Sequence, residues 1–145
     1  MHETGSDRMT HFIVYGKPMG KQRPRFTKSG HTYTPQKTVD YEELVQYSYM
    51  EQVKKNDRWH DGALEMHIRA YYPIAKSHSK VKKEAMEAGE ILPTVKPDTD
   101  NVTKIICDSL NGIAYADDKQ ITDCIFQKRY AKVPRVEVSI RQIRE

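Results

Sequence analysis

The stretch that decides the fold comprises residues 96–121, which read Lys-Pro-Asp-Thr-Asp-Asn-Val-Thr-Lys-Ile-Ile-Cys-Asp-Ser-Leu-Asn-Gly-Ile-Ala-Tyr-Ala-Asp-Asp-Lys-Gln-Ile. It contains five aspartates, which lie along and on both sides of an amphipathic pattern. Carboxylates gathered in this way repel one another. Folding them together is unfavourable unless a cation neutralises them or solvent separates them.

The centre of this stretch has the periodicity of an α-helix over about residues 101–110. At about 100° per residue, Asp100, Lys104 and Asp108 span roughly 80° of one side. The opposite side is mostly apolar and consists of Val102, Ile105, Ile106, Ser109 and Leu110. Asn111-Gly112 is a typical helix end. The narrow polar stripe predicts a helix that packs its other side on a β-sheet.

Strand patterns lie on both sides of this helix. Residues 63–72 alternate most clearly, and the side chains that face one way are Leu64, Met66, Ile68, Ala70 and Tyr72. Further strands are predicted at residues 12–15, 121–130 and 136–140, with a small hairpin around Gly30. The pattern also predicts a short charged helix over residues 79–89.

A longer helix is predicted to start at Thr34-Pro35, as an N-cap followed by a first-turn proline, and to run to about residue 56. Its expected buried residues are Val39, Leu44, Val45 and Val53. The order of elements mixes hairpin and crossover connections. It predicts a single α+β domain with a mixed β-sheet and helices packed on one face.

Length and composition limit the remaining possibilities. The chain of 145 residues fits one domain, with residues 1–10 as a disordered lead-in or expression remnant and residues 11–145 as the folded unit. Met9 would serve as an alternative start. No segment reaches the roughly 18–20 apolar residues that cross a bilayer, and no signal pattern is present, so we expect a cytoplasmic protein without membrane partners. Cys107 and Cys124 are interpreted as small buried hydrophobic residues.

The first acidic pair, Asp98 and Asp100, is expected at a junction between an extended segment and the helix, where both carboxylates can converge. Mg²⁺ prefers oxygen ligands and keeps several waters, so two or three carboxylates suffice. The alternative is a helix N-cap, for which Asp100 is well placed. No small-molecule cofactor is indicated.

The second acidic pair is Asp117 and Asp118, and adjacent acids usually mark a solvated turn. Combined with the first pair, they predict a two-metal site formed by Asp98, Asp100 and one of Asp117 and Asp118. Whether Asp117 is a ligand stays open.

Lys104 lies one helical turn after Asp100 and allows two interpretations. It forms an ion pair worth a few tenths of a kcal/mol, or it positions a phosphate and stabilises charge in the transition state. Asp108 is either a further metal ligand or an anchor for Lys104.

Positive charge is concentrated in a basic segment, residues 17–28. Its cations are Lys17, Lys21, Arg23, Arg25 and Lys28. Pro18 and Pro24 hold the segment extended, which suits contact with a phosphate backbone; the plain alternative is a solvated loop. The overall charge of +4 and the pI of about 9.0 are mild, so this clustering is the stronger indication of a DNA partner.

These motifs resemble the RusA family of crossover-junction (Holliday junction) endodeoxyribonucleases. The likeness rests on residues 96–104, 108–112 and 115–121. It is reinforced by Gly16-Lys-Pro and Arg23-Pro-Arg, and it extends from about residue 11 to the end of the chain.

The resemblance implies a homodimer that uses Mg²⁺, with Mn²⁺ as an expected substitute, and cuts four-way DNA junctions by paired symmetric nicks. It further implies that Asp98, Asp100 and Asp118 are the essential acids, that Lys104 is the catalytic lysine and that Asp117 is a less critical neighbour. Family members occur widely in phages and prophages, which indicates a bacterial or phage-infected cell as the setting.

Two other functions are compatible with parts of the pattern. A junction-binding protein without catalysis would use the same basic segment, with its acids serving only as caps and turns. A D-x-D sugar-nucleotide transferase is a weaker alternative, because 145 residues leave little room for two substrates and no Gly-rich phosphate loop is present.

Overall fold

The computed structural model describes residues 9–143 and contains two β-sheets and three α-helices. The strands are β1 (Met9–Tyr15), β2 (Arg25–Phe26), β3 (Thr32–Tyr33), β4 (Leu64–Pro73), β5 (Ile121–Ala131) and β6 (Arg135–Gln142). The helices are α1 (Gln36–Gln52), α2 (Lys80–Glu87) and α3 (Thr99–Ser109), with short 3₁₀ helices at Lys55–Asp57 and Asp118–Gln120. The predicted α+β class is confirmed.

The main sheet has the strand order β1-β6-β4-β5, and a separate hairpin is formed by β2 and β3. β4 and β5 are parallel, whereas β6 is antiparallel to both of its neighbours, β1 and β4. Two parallel neighbours need a crossover connection, and the segment between β4 and β5 contains α2 and α3. The sheet is therefore mixed, as the order of elements predicted.

The core lies between one face of the main sheet and the helices α1 and α3. Alternate residues of β4, from Leu64 to Tyr72, are buried, as predicted. On α3 the buried side chains include Ile105, Ile106 and Leu110, and burying each contributes about 1.5–3 kcal/mol. α2 packs beside β5. None of the helices within residues 9–143 is long and apolar enough to cross a membrane.

Several boundaries differ from those predicted. β1 begins at Met9 rather than residue 12, so the folded unit starts two residues before the predicted boundary at residue 11, and residues 1–8 lie outside the described part. α1 ends at Gln52 rather than near residue 56, since Val53 has an extended backbone. The N-cap position is held by Pro35, not Thr34, and no side chain caps it.

The predicted inner side of α1 is partly wrong. Val45 and Val53 are buried, but Val39 is only half-buried and Leu44 is 40% exposed. The buried positions of α1 are Thr38, Tyr41, Val45, Ser48 and Tyr49. Hydroxyl-bearing residues thus fill most of the inner side of this helix.

The prediction for the two cysteines also holds only in part. Cys107 is buried on α3, whereas Cys124 on β5 is exposed. Cys124 comes early in β5, where the strand leaves its side chains open to solvent.

Candidate active site

Helix α3 places the first acidic pair. Asp98 occupies the N-cap, with an extended backbone, and its Oδ1 accepts a hydrogen bond from the backbone N–H of Asn101 at 3.2 Å. The carboxylate thereby satisfies one of the N–H groups that a helix start leaves free, and it is favoured there by the helix dipole. The cap is therefore Asp98, not Asp100, which lies in the first turn.

The polar side of α3 carries Asp100, Lys104 and Asp108, as the angular pattern predicted. Asp100 and Lys104 are exposed, and Asp108 is half-buried. No ion pair joins Lys104 to a carboxylate anywhere in residues 9–143. The ammonium group of Lys104 is consequently available to an external anion.

A compact loop places the second acidic pair. Asp117 caps the 3₁₀ helix Asp118–Gln120, and its Oδ1 accepts the N–H of Lys119 at 2.8 Å. The Oε1 of Gln120 accepts from the N–H groups of Ala116 and Asp117, at 2.9 and 3.1 Å. The Nε2 of Gln120 donates to the carbonyl oxygens of residues 60 and 62. One side-chain amide thus fixes the acidic loop to the segment that precedes β4.

Asp118 lies beside Asp108 and Asp117. Desolvation raises the pKa of its carboxyl group above the ordinary value, and the negative charges of Asp108 and Asp117 raise it further. The charges of Asp118 and Asp108 also raise the pKa values of Cys107 and Tyr115, where burial is the larger cause. The surroundings of Asp118 are therefore negative, and a cation there would relieve the repulsion.

The two acidic groups lie at opposite ends of α3. Asp98 precedes the helix and Asp108 is close to its last residue, so at about 1.5 Å per residue they are separated by about 15 Å along the axis. Asp118 is next to Asp108. Within residues 9–143, no three His, Cys, Asp or Glu side chains are arranged to hold a metal ion. The expected convergence of Asp98, Asp100 and Asp118 is thus not found within one chain, and their roles as ligands stay predictions.

The first part of the basic segment, residues 17–22, lies beside the start of α3. Lys17, Arg23, Arg25 and Lys28 are exposed, as expected for cations that meet a phosphate backbone. Lys21 differs, because its Nζ lies 2.6 Å from Glu42 Oε2 and 3.5 Å from Asp108 Oδ2.

The environment of Lys21 combines opposing effects. Desolvation lowers the pKa of its ammonium group, but the hydrogen bond and charge of Glu42 and the charge of Asp108 outweigh that effect and raise the pKa overall. Its backbone N–H donates to the carbonyl oxygen of Asn101 at 2.9 Å. Lys21 therefore fastens the basic segment to both α1 and α3.

A groove of about 740 Å³ separates the basic segment from the start of α3. Three lysines line it, namely Lys17, Lys21 and Lys96, together with Asp98. At one wall Gly20 approaches the helix so closely that an added Cβ would lie 2.9 Å from the Cβ of Asn101. The groove thus brings one predicted ligand next to a row of cations.

Tyr72 supports the residue before Asp98. Its hydroxyl donates to the carbonyl oxygen of Pro97. Burial, and then the charge of Asp98, raise the pKa of Tyr72 to about 12. The phenol therefore stays protonated at neutral pH and keeps this hydrogen bond.

Sequence reasoning missed Gly20, Glu42, Tyr72 and Lys96 as parts of the site. Lys96 is the first residue of the quoted acidic stretch. It could have been recognised as the cation that comes two residues before Asp98. Gly20 lies within the basic segment, but nothing in the sequence shows that it approaches α3. Glu42 and Tyr72 are distant in sequence and carry no local signal.

An α+β domain that exposes carboxylates beside a lysine-lined groove is typical of enzymes that act on nucleic-acid phosphodiesters. Residues 15–141 match the model of the family described as Endodeoxyribonuclease RusA, and the chain belongs to that family. The resemblance predicted from the motifs is thereby confirmed. The family indicates endodeoxyribonuclease activity.

The chain is similar over nearly its full length to a protein from Bacillus subtilis (strain 168) named Uncharacterized protein YqaN. It is 37% identical over 137 residues, which cover 91% of this chain and 95% of the relative. The similarity therefore extends over the whole fold and is not confined to the acidic motifs.

Proposed function

We propose that the protein is a Mg²⁺-dependent, structure-selective endonuclease that resolves four-way DNA junctions by paired symmetric nicks. Two opposed cuts need two sites, so the active form is a homodimer. The family membership supports the DNA substrate. The junction selectivity and the paired cuts follow from the resemblance of the motifs.

The observation that carries the proposal is the groove in which Asp98 lies among Lys17, Lys21 and Lys96. Lysines bind a phosphate backbone without regard to base sequence. A carboxylate in the same groove repels DNA, and the helix cap does not require its charge, because Asn caps a helix equally well. The charge of Asp98 therefore needs a further reason. Holding a divalent ion against the scissile phosphate is such a reason.

The donor chemistry fits Mg²⁺. Asp98 and Asp100 are exposed carboxylates, and only one oxygen of Asp98 is used by the helix cap. The negative surroundings of Asp118 also favour a cation. Because Mg²⁺ keeps several waters, two carboxylates are sufficient ligands. Asp98 and Asp100 would hold a divalent ion at the start of α3, and Asp118, helped by Asp117, would hold one at its other end. A metal ion bound in this way would supply an activated water and neutralise phosphate charge.

Lys104 is the group of the chain that would act on the phosphate itself. It is exposed, it has no carboxylate partner in residues 9–143, and it lies one turn from Asp100. A positioned ammonium group stabilises the negative charge that develops in the transition state.

The decisive experiment is a cleavage assay on a synthetic four-way junction with each strand labelled in turn. We expect Mg²⁺-dependent nicks at symmetric positions of two opposed strands, and little cutting of a linear duplex of the same sequence. Asp100→Asn should abolish cleavage, whereas Asp40→Asn, an exposed aspartate on α1, should not. Full activity of Asp100→Asn would exclude this assignment of the site.

A second candidate is a branched-DNA-binding protein without catalysis. It is favoured by one observation, the absence of a three-ligand metal cluster in residues 9–143. This function predicts salt-dependent junction binding without nicking under Mg²⁺ or Mn²⁺. The same labelled junctions distinguish the two functions, because binding is read by mobility shift and nicking by denaturing electrophoresis.

A further inference from the structure

Residues 23–34, here called the exposed hairpin, comprise β2, β3, the turn between them and the residues that flank them. Every residue from 23 to 34 is exposed. The backbone is nevertheless ordered, because the N–H of Thr27 donates to the carbonyl oxygen of His31 at 2.8 Å and the N–H of Gly30 donates to that of Thr27 at 3.0 Å. Gly30 has a φ of +87°, which glycine adopts without strain. The hairpin therefore stands out from the domain as a formed element.

The charge of the exposed hairpin is positive throughout. No aspartate or glutamate occurs from residue 17 to residue 39. Arg23, Arg25 and Lys28 are exposed, and none of them forms an ion pair within residues 9–143. Unpaired cations on a projecting element fit a polyanion. The hairpin also continues directly from the lysine-lined groove, so the same DNA molecule can meet both.

Phe26 has no partner on this surface that would cover its ring. Its side chain is 73% exposed, whereas the other two phenylalanines of the chain, Phe12 and Phe126, lie in the core or pack against it. The residue opposite Phe26 in the hairpin ladder is Thr32, whose side chain is too small to cover a phenyl ring. The ring has neither charge nor hydrogen-bonding groups, so contact with phosphates would leave it unused. A flat apolar partner would bury it.

The bases of a branched DNA molecule offer such a partner. Stacking of a base on an aromatic ring strengthens binding about 5- to 150-fold and depends little on which base it is. In a continuous duplex both faces of each base pair are covered by the neighbouring pairs. At a branch point this stack is interrupted, so an apolar side chain can insert there with less cost of unstacking. An exposed phenylalanine therefore favours branched DNA over a duplex, which phosphate contacts alone do not.

The exposed hairpin is anchored at both ends, and this limits where Phe26 can reach. Before the hairpin, Gln22 lines the groove that contains Asp98. After it, Pro35 is buried at the start of α1. Phe26 is four residues from Gln22, so their Cα atoms are at most about 14 Å apart, which equals about four base pairs of B-DNA. A base that Phe26 contacts therefore lies within about four pairs of the phosphates in the groove.

We infer that Phe26 stacks on a base at the branch point of the DNA and is the residue through which the protein distinguishes a branched molecule from a duplex. The inference rests on the proposed function and specifies a residue that determines its substrate selectivity. Arg23, Arg25 and Lys28 bind the phosphates around that base.

The test measures the binding of the full chain to a synthetic four-way junction and to a linear duplex of the same sequence, in chelator and over a range of salt concentrations. Phe26→Ala should raise the Kd for the junction roughly tenfold or more and leave the Kd for the duplex within about twofold. The slope of log K against log salt concentration should stay the same, because no charge is removed. Phe26→Tyr keeps an aromatic ring and should retain the affinity for the junction.

Two kinds of control separate base stacking from other contacts. Tyr47 is a 64% exposed aromatic residue on α1, and Glu43 and Glu51 lie one helical turn on either side of it. Tyr47→Ala should leave both Kd values unchanged. Arg25→Gln and Lys28→Gln should each reduce the salt slope by about 0.9 and weaken the binding of junction and duplex alike, since they remove contacts to phosphates.

A fluorescent base reports the stacking directly. 2-Aminopurine fluoresces more strongly when it leaves the base stack, and it is placed beside the branch point of the junction. Saturating wild-type protein in chelator should raise the fluorescence. Phe26→Ala, added until the junction is equally saturated, should leave the fluorescence near that of the free junction, whereas Phe26→Tyr should restore the rise.

Each remaining outcome counts against a specific claim. An unchanged ratio of junction to duplex affinity in Phe26→Ala overturns the inference, as does a fluorescence that does not rise with the wild type or rises equally with Phe26→Ala. Unchanged salt slopes in both Arg25→Gln and Lys28→Gln would show that the hairpin does not meet DNA and would overturn it too. Phe26→Ala that binds and cleaves the junction like the wild type refutes the stacking role alone. A wild-type chain that unstacks the reporter but cuts nothing with Mg²⁺ refutes the nuclease alone.

Discussion

Lys21 of the basic segment is bound to Glu42 of α1, with 2.6 Å between Nζ and Oε2. Both side chains are largely buried, at 24% and 22% exposure. The same ammonium group lies 3.5 Å from Asp108. Lys21 therefore ties the basic segment to α1 and to the polar side of α3.

We expect Lys21→Met to lower the free energy of unfolding by about 1–2 kcal/mol, because it removes a charge-assisted hydrogen bond and leaves Glu42 without its partner. Chemical denaturation measures the change. Lys17→Met is the matched control; Lys17 is exposed and has no ion pair in residues 9–143, so its loss should change stability by less than about 0.5 kcal/mol. Equal losses in the two variants would contradict the anchoring role.

Gly20→Ala should lower the free energy of unfolding by about 1–3 kcal/mol, because its Cβ would overlap the Cβ atoms of Asn101 and Pro97, at 2.9 and 3.0 Å. The double variant Gly20→Ala/Asn101→Gly removes one of the two contacts. Its loss should be smaller than the sum of the single losses. Strict additivity in thermal unfolding would show that the two residues do not meet.

Asp98 can be tested for its two roles separately. Asn is as good an N-cap as Asp, so Asp98→Asn should keep the stability of the fold, whereas Asp98→Ala should lose about 1 kcal/mol. Both variants should lose cleavage on the order of 100-fold or more, since a metal ligand supports several kcal/mol of transition-state stabilisation. Without metal, Asp98→Asn should bind the junction unchanged or more tightly, because it removes a negative charge that faces DNA. Clearly weaker binding would make Asp98 a structural residue only.

Lys104→Ala should reduce turnover on the order of 100-fold and affect junction affinity far less. Stability should change by less than about 0.5 kcal/mol, because the side chain is exposed and unpaired within residues 9–143. Single-turnover kinetics with saturating enzyme separate the two effects. A loss confined to junction affinity would show that Lys104 only contacts the phosphate backbone of the DNA and is not catalytic.

Asp118→Asn should stabilise the metal-free protein at neutral pH. Because folding raises the pKa of Asp118, its ionisation opposes folding; the cost is absent below the ordinary pKa of 3.8, grows as the pH rises towards the raised value and is complete above it. Solvent screening limits the gain to about 0.5 kcal/mol. Melting curves in chelator should show the gain at pH 7 and none near pH 3. A variant less stable than the wild type at pH 7 would contradict the repulsion.

The sequence predicted those parts of the fold in which hydrophobic periodicity is complete. In β4 every second residue from Leu64 to Tyr72 is apolar, so both the strand and its buried face could be predicted. The same holds for α3, where Val102, Ile105 and Ile106 form a buried apolar side opposite the polar side. In α1 the periodicity is weak, and tyrosine, serine and threonine occupy the inner side, so Leu44 was wrongly placed there.

The geometry of the candidate site was harder to predict from the sequence, because it depends on distances between separate helices and strands. Asp98 and Asp118 belong to one recognisable motif, yet the length of α3 separates them. The contact of Lys21 with Glu42 joins two segments 21 residues apart, and neither residue signals the other. The resemblance predicted which acids are functional but contained no information on which of them meet within one chain.

The hydrogen bonds of the Gln120 amide affect how the result of a mutational screen should be interpreted. Its single amide accepts from two N–H groups of the acidic loop and donates to two carbonyl groups before β4. A carboxylate of the same size has no donors, so Gln120→Glu would release the loop from one of its two attachments. Such a variant would lower activity by displacing Asp117 and Asp118, so the loss alone would not show that Gln120 takes part in the chemistry.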